Sequence, residues 1–143
     1  MAWVKRIIVA FIVIAMAYVL LTLTASELGG EVVTLLRPNA DTSVSETRVW
    51  IVETGNFEMI EHGEAGVGWL KLLKHSPSIQ IRRGEQLVSY TGILAVEQHD
   101  LYHKLRREKY GFADQIIEWL SMTPSSECTG APVVLRRLKQ GTG

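Results

Sequence analysis

The chain begins with a long apolar run that has no polar face. Residues 7–26 carry no charged side chain, and Lys5 and Arg6 directly precede them. Twenty residues of helix reach roughly 30 Å, the thickness of the hydrocarbon core of a bilayer. A signal peptide has a shorter apolar region of about 7–15 residues, and a buried helix without a polar face is uncommon in a small soluble domain. We therefore interpret residues 1–26 as a single-pass membrane anchor.

The charges that flank this run predict its orientation in a cell membrane. Lys5 and Arg6 lie before it, whereas Glu27 and Glu31 follow it. Because basic residues favour the cytoplasmic side, the N-terminus is expected in the cytoplasm and residues 27–143 on the extracytoplasmic face. The hinge at Leu28-Gly29-Gly30 is short, so this second domain is expected close to the lipid surface.

Period-two and β-branched patterns dominate the chain after the hinge. Turn formers separate these segments, notably Pro38 to Asp41, Thr54 to Asn56, and Arg83 to Glu85. Gly92 lies inside one segment, which indicates a bulge or a close approach by another group. The pattern predicts an antiparallel meander of about five strands with one more strand near the C-terminus. The predicted strands are 31–37, 47–53, 57–62, 78–82, 86–96 and 133–135.

Helical patterns interrupt the strands at three places. A short helix begins at Trp69 and is stopped by Pro77, and a longer one covers 97–110 and ends before Gly111. Residues 113–122 form the third, for which we predict a buried face of Ile116, Ile117, Trp119 and Leu120. Strands followed by helices and a returning strand predict an α+β fold, a small closed or split β-barrel with helices packed outside it.

Composition excludes several kinds of function. The 143 residues have a formal net charge of zero, so there is no global basic field for nucleic acid. Cys128 is the single cysteine, which excludes an intramolecular disulfide framework and a zinc cluster built of thiolates. No P-loop, nucleophile elbow or Ser/His/Asp order is present.

Two local patterns are candidates for binding sites. Gly63, Gly66 and Gly68 precede the short helix, where backbone without Cβ atoms admits a phosphate or other anion, although such loops are more often simple connections. His99 and His103 are spaced like two metal ligands on a helix. They are expected to point to solvent, and the pattern supplies no third ligand, so we predict no metal site.

The order of these motifs resembles one enzyme family. The run TRVWIVE, a turn and a strand, a glycine-rich loop, Gly-Trp-Leu-x-x-Leu, Ser-Pro, a hairpin and a helix ending Lys-Tyr-Gly follow one another over residues 31–138. This order is similar to that of the split β-barrel flavin and deazaflavin oxidoreductases. These relatives of pyridoxamine-phosphate oxidase include deazaflavin-dependent nitroreductases and quinone reductases. The first hairpin reads PNADTSVSE instead of the family's Gly-Arg-Lys-Ser-Gly, so the sequence does not decide between FMN and a deazaflavin.

The resemblance implies a set of site residues. Tyr110 is the candidate for a catalytic hydroxyl on the substrate side. Each of the cofactor candidates also has a structural interpretation, since tryptophans are often core residues and lysines often lie on the wet side of a helix. The implied cofactor-binding residues are Arg48, Trp50, His62, Gly63, Trp69, Lys71 and Lys74.

The implied function is that of an oxidoreductase at a membrane. FMN or a deazaflavin would supply the hydride chemistry, and a quinone or nitro compound would be the acceptor. The resemblance also implies a homodimer. The alternative is a non-catalytic split barrel that binds a ligand or a protein.

Overall fold

The computed structural model describes residues 2–28, 30–39, 41, 43–122 and 124–138. Within the first helix, Trp3–Leu21 has a mean hydropathy of 2.4 and is long and apolar enough to cross a membrane by length and composition alone. None of this stretch is buried in the protein. The helices are α1 (Ala2–Leu28), α2 (Gly68–Leu72), α3 (His99–Tyr110) and α4 (Phe112–Ser121).

Six antiparallel strands close into a barrel. Their order around it is β1-β2-β3-β6-β5-β4, and β4 pairs with β1 to complete the ring. The predicted α+β fold with a small barrel is therefore confirmed. The expected simple meander is wrong, because β6 returns between β3 and β5 and pairs with both. The strands are β1 (Val32–Pro38), β2 (Val44–Glu53), β3 (Glu58–Glu64), β4 (Ser78–Arg83), β5 (Gln86–Leu94) and β6 (Gly130–Arg137).

The barrel interior is filled by alternate residues of the strands. Pairs such as Val33 and Leu35 on β1 are almost completely buried, as period two requires when one face points inward. Trp69 and Leu70 of α2 join this core. The predicted close approach at Gly92 is confirmed: a Cβ there would lie 3.1 Å from Ile79 Cδ1 and 3.2 Å from Val133 Cγ1.

A second apolar cluster joins the outside of the barrel to α3. Val52 and Met59 on the outer wall are fully buried, and Tyr102 and Tyr110 of α3 cover them. The helix ends at Gly111, which has φ of 50°, a conformation that favours glycine. The predicted C-terminal position of this glycine is thus confirmed.

Helix α4 shows only one face to the protein. Ala113 and Leu120 are buried, whereas Trp119 is 74% exposed. The prediction that Trp119 is buried is therefore wrong. Trp119 lies about 100° around the helix from Leu120, on the side of Phe112 and Met122, which are also exposed. Helix α4 has more apolar residues than its protein-facing side can bury.

Candidate functional site

A cleft of about 320 Å³ lies between the outer wall of the barrel and helices α3 and α4. Its walls combine apolar and aromatic groups with two arginines, one carboxylate and one imidazole. Residues from three strands and two helices line it, so the cleft exists only in the folded domain. The lining residues are Val32, Arg48, Val49, Trp50, Glu61, His62, Tyr102, Arg106 and Ile117.

Strand β2 turns two of the predicted cofactor residues toward this cleft. Val49 and Ile51 are buried on the inner face, so Arg48 and Trp50, which alternate with them, point outward. The Trp50 ring stacks at a tilt on the Tyr110 ring, with centroids 4.7 Å apart and an interplanar angle of 37°. The Trp50 ring, packed against Tyr110, forms an aromatic wall of the cleft.

The opposite side of the cleft carries the Arg106 guanidinium. Its carbon lies 5.9 Å from the centre of the Trp50 ring and 5.8 Å from that of Tyr102. Nε of Arg106 donates to Asp114 at 2.6 Å, which fixes the side chain in place. In the sequence, basic residues near the end of this helix are explained by the helix dipole alone. No local pattern distinguished Arg106 from its basic neighbours.

Gly30 permits the aromatic wall to form. A Cβ on Gly30 would lie 2.8 Å from two carbons of the Tyr110 ring and 3.1 Å from Nε1 of Trp50. Any larger residue before β1 would push these rings apart. The glycine of the predicted hinge is therefore also part of the packing around the cleft.

The hydroxyl of Tyr110 is engaged by backbone. It accepts the N–H of Ile51 at 3.2 Å and lies within hydrogen-bond distance of the carbonyls of Ile51 and Glu31. Burial raises the pKa of this phenol. These contacts fasten the end of α3 to β1 and β2. The catalytic role suggested for Tyr110 stays a prediction, and the hydroxyl that would perform it already holds the fold together.

His62 and Gly63 lie at an irregularity in β3. The pairing of β3 with β6 shifts between Glu61 and Glu64, and Gly63 has φ of 90°. Burial, with a contribution from nearby Arg37, lowers the pKa of His62. Its ring lines the cleft and is neutral at physiological pH. Gly63 follows it directly but does not line the cleft.

The predicted residues of α2 and its flank lie away from the cleft. Trp69 is only 5% exposed and donates its indole N–H to the carbonyl of His62 at 3.0 Å. Lys71 and Lys74 are exposed to solvent. Among the described residues, α2 contributes none to the cleft lining. The structure thus brings Arg48, Trp50 and His62 together at the cleft, and the cofactor roles of all seven residues remain predictions.

A second cluster of chemically active side chains borders the cleft. It contains Glu61 of β3, His99 and His103 of α3, and Cys128 of the segment before β6. The prediction that the two histidines point to solvent is wrong, because their side chains are only 21% and 10% exposed. They turn toward Glu61, and the face of α3 that carries Leu101 is the more exposed one.

The electrostatics of this cluster are dominated by burial. Burial raises the pKa of Glu61, despite nearby His99 and Arg106, and also that of Cys128. Burial, with the charges of Arg106 and His99, lowers the pKa of His103 to about 4, so its ring is neutral at physiological pH. Oε1 of Glu61 and Nδ1 of His103 are buried and have no hydrogen-bond partner in the described part of the chain.

Comparison with known proteins supports the fold. No protein-family profile and no curated protein matches the chain. An F420-H2-dependent reductase has a TM-score of 0.51 and 13% identity, covering 74% of this chain and 94% of its own. HutZ, the heme storage protein of Vibrio cholerae, has a TM-score of 0.51 and 10% identity over 76% of this chain and 82% of its own.

A third solved structure, a domain-swapped dimer, has a TM-score of 0.51 and 12% identity, covering 74% of this chain and 80% of its own. At such low identity these similarities establish architecture, not chemistry. The chain has the split β-barrel fold found among flavin- and deazaflavin-binding proteins. The resemblance seen in the sequence is confirmed at the level of the fold.

Proposed function

We propose that this protein binds a flavin-type cofactor, FMN or a deazaflavin, in the cleft beside Trp50 and acts as an oxidoreductase. The observation that carries the proposal is the cleft itself, where an aromatic wall and two arginines meet on the outside of a split barrel. The fold of the F420-H2-dependent reductase makes this ligand class the natural first choice.

The chemistry of the lining suits such a ligand. A flavin-like ring requires a flat apolar surface, and Trp50 with Tyr102 supplies aromatic area. An anionic tail requires cations, and Arg48 and Arg106 border the same space. The bound cofactor would carry the hydride, while the protein would hold and orient it. The cleft of about 320 Å³ is near the lower end of the roughly 300–1,000 Å³ range of ligand pockets.

The hairpin between β1 and β2 supports the alternative function, that of a non-catalytic split barrel that binds another ligand or a protein. In the described part of this hairpin, Asp41 accepts the backbone N–H of Ser43 at 3.0 Å and its hydroxyl at 2.5 Å. A carboxylate therefore occupies a turn where the resembling enzymes carry cations. A phosphate tail would have to find its partners at Arg48, at Arg106, or at Lys71 of α2 and Lys74 after it.

Membrane anchoring is the second part of the proposal. The hydroxyl of Tyr18 donates to the carbonyl of Leu120 at 2.9 Å, which joins α4 to α1. The outer face of α4 presents Phe112, Trp119 and Met122 to the surroundings. Apolar and aromatic side chains next to a spanning helix suit the lipid interface. A cofactor close to the bilayer would favour a lipid-soluble acceptor such as a quinone, with nitro compounds as the other candidates.

Dimerisation belongs to the same proposal. One solved structure of this fold is a domain-swapped dimer, and we extend the expectation of a homodimer to this chain. Light scattering on the detergent-solubilised protein, corrected for the detergent, distinguishes a dimer from a monomer.

A titration of the full-length protein in detergent tests the cofactor proposal. FMN and the deazaflavin cofactor are added separately, and binding is followed by fluorescence. If Arg48 holds the anionic tail, Arg48→Ala should weaken binding by about 1.5–3 kcal/mol, or roughly ten- to a hundredfold. Arg136→Ala, an exposed arginine on β6, should leave the affinity unchanged.

Lys71→Ala shows how far the tail extends. A loss of similar size would place the tail along α2, whereas unchanged binding would confine the cofactor to the cleft. If neither cofactor binds the unaltered protein below about 100 μM, which is weak for a specific site, the non-catalytic barrel becomes the better account.

A further inference from the structure

We propose that Glu61, His99, His103 and Cys128 form a zinc-binding site. Their side-chain donor atoms lie close together, although the residues belong to three parts of the fold: β3, one face of α3, and the segment before β6. The proposal does not require a flavin-type cofactor, because zinc carries no redox chemistry and, of the four side chains, Glu61 alone also lines the cleft.

The distances between the donor atoms fit a tetrahedral ion. Nε2 of His99 and Nε2 of His103 are 3.1 Å apart. Oε1 of Glu61 lies 3.4 Å from His99 Nε2, and Oε2 of Glu61 lies 3.5 Å from His103 Nε2. The same Oε2 lies 3.7 Å from Sγ of Cys128, and all the donors are within 4.8 Å of one another. Zinc bond lengths of about 2.0–2.1 Å to nitrogen and about 2.3 Å to sulfur give tetrahedral edges of roughly 3.3–3.6 Å.

Hydrogen bonding alone does not account for this arrangement. Oε1 of Glu61 is buried and, in the part of the chain that the structure describes, accepts no hydrogen bond. The two imidazole nitrogens face each other, so one proton between them is the most that they can share. A metal ion would use the lone pairs of both rings and one carboxylate oxygen together.

Gly130 gives the carboxylate its position. A Cβ at this residue would lie 2.6 Å from Cδ and 2.8 Å from Cγ of Glu61, a separation that no real side chain tolerates. The N–H of Gly130 also donates to Sγ of Cys128 at 3.4 Å, a contact that would support a thiolate. The backbone of β6 is therefore shaped around two members of the cluster.

The types of ligand atom in the cluster favour one kind of metal ion. Two imidazoles, a thiolate and a carboxylate suit zinc, whereas magnesium and calcium prefer sites made of oxygen. The charges of the carboxylate and thiolate would balance a divalent ion, and the Cys128 thiol would release its proton on binding. Arg106 lies 3.8 Å from Glu61, but its charge is already paired with Asp114.

Four protein ligands would make this a closed, structural site. The ion would fasten α3, the helix that forms one wall of the cleft, to β3 and to the start of β6. The helical spacing of the histidines supplied two candidate ligands, but the sequence predicted no metal site, because the other two ligands are distant in the chain.

Metal analysis of the full-length protein in detergent tests the proposal. After dialysis against metal-free buffer, the protein should retain about one equivalent of zinc, as a closed four-ligand site would, measured by mass spectrometry of the metal. Apoprotein titrated with Co²⁺ should develop the visible bands of tetrahedral cobalt and a near-ultraviolet thiolate-to-cobalt band. If the unaltered protein binds neither zinc nor cobalt, the proposal is wrong.

Substitutions locate the metal. His103→Asn and Glu61→Gln should each weaken zinc binding by more than the roughly 10–100-fold that loss of an outer hydrogen-bond partner costs. Cys128→Ser should remove the thiolate band. His75→Asn, which changes an exposed histidine outside the cluster, should alter nothing.

Circular dichroism verifies that each variant is folded. If His103→Asn does not fold, His99→Asn replaces it, because that ring is more exposed. Zinc affinity that survives all the cluster substitutions in folded protein would overturn the proposal, as it would place the ion elsewhere.

Discussion

Asp114 joins the two helices that cover the cleft. The residue is only 1% exposed, and its two carboxylate oxygens accept hydrogen bonds from Arg106 and Arg107 of α3. A buried carboxylate is tolerated only when such partners compensate its lost hydration. The same contact holds Arg106 against the aromatic wall, so a single residue of α4 positions a cation in the proposed cofactor site.

Asp114→Asn tests this role. The amide keeps the shape but removes the charge, and it can accept only through its one oxygen, so one arginine loses its hydrogen bond to residue 114. We expect the free energy of unfolding to fall by about 1.5–3 kcal/mol, the range for hydrogen bonds to charged groups. The larger cost of an isolated buried charge does not apply, because Arg107 is 40% exposed and also pairs with Glu118, and Arg106 lies 3.8 Å from Glu61.

Urea unfolding of the full-length protein in detergent measures this loss. Asp100→Asn, which changes a fully exposed carboxylate in the first turn of α3, should change stability by no more than about 0.5 kcal/mol. Equal effects of the two substitutions would show that the Asp114 ion pairs do not stabilise the fold.

Single residues were predictable where the strand period alone decides their direction. Arg48 and Trp50 face outward because Val49 and Ile51 must face the core. Helical residues were less predictable: α3 and α4 have apolar residues on several sides, and tertiary packing decides which side is buried. Tertiary packing therefore explains both the exposed Trp119 and the inward-facing His99.

At the level of elements, the sequence predicts the strands that pair with neighbours close in the chain. The five strands from β1 to β5 begin and end within three residues of their predicted bounds, because turn formers mark their ends. The position of β6 could not be predicted, since its pairing with β3 and β5 joins residues that are far apart in the chain. The cleft and the Glu61 cluster depend on that pairing and on the packing of α3.

The described side chains of helix α1 contribute nothing to either apolar cluster of the domain. Deletion of residues 1–26 should therefore give a soluble, folded barrel, although it also removes the hydrogen bond from Tyr18 to Leu120. Gel filtration and far-ultraviolet circular dichroism measure the outcome.

Tyr18→Phe in the full-length protein is the matched control for the lost hydrogen bond alone. An insoluble truncated protein without β-type circular dichroism would show that the domain boundary at residue 27 is wrong. If the truncated barrel is soluble but no longer membrane-bound, the anchor accounts for localisation.

For the whole molecule, two charges predict the orientation in the membrane. With Lys5 and Arg6 in the cytoplasm, an alkaline phosphatase fused after Gly143 should be active outside it. Lys5→Gln combined with Arg6→Gln removes the bias and should reduce that activity. If the alkaline phosphatase fusion is inactive and a cytoplasmic reporter fused at the same position is active, the barrel lies inside the cell, where reduced cofactor is available.

The complete account depends on the cleft between the barrel and α3. A crystal structure of the full-length protein with FMN, and another with the deazaflavin cofactor, test it most directly. We predict ring density against Trp50 and tail density near Arg48 and Arg106. Density for the cofactor at another place, or an empty cleft in crystals grown at saturating cofactor, would contradict the proposed function.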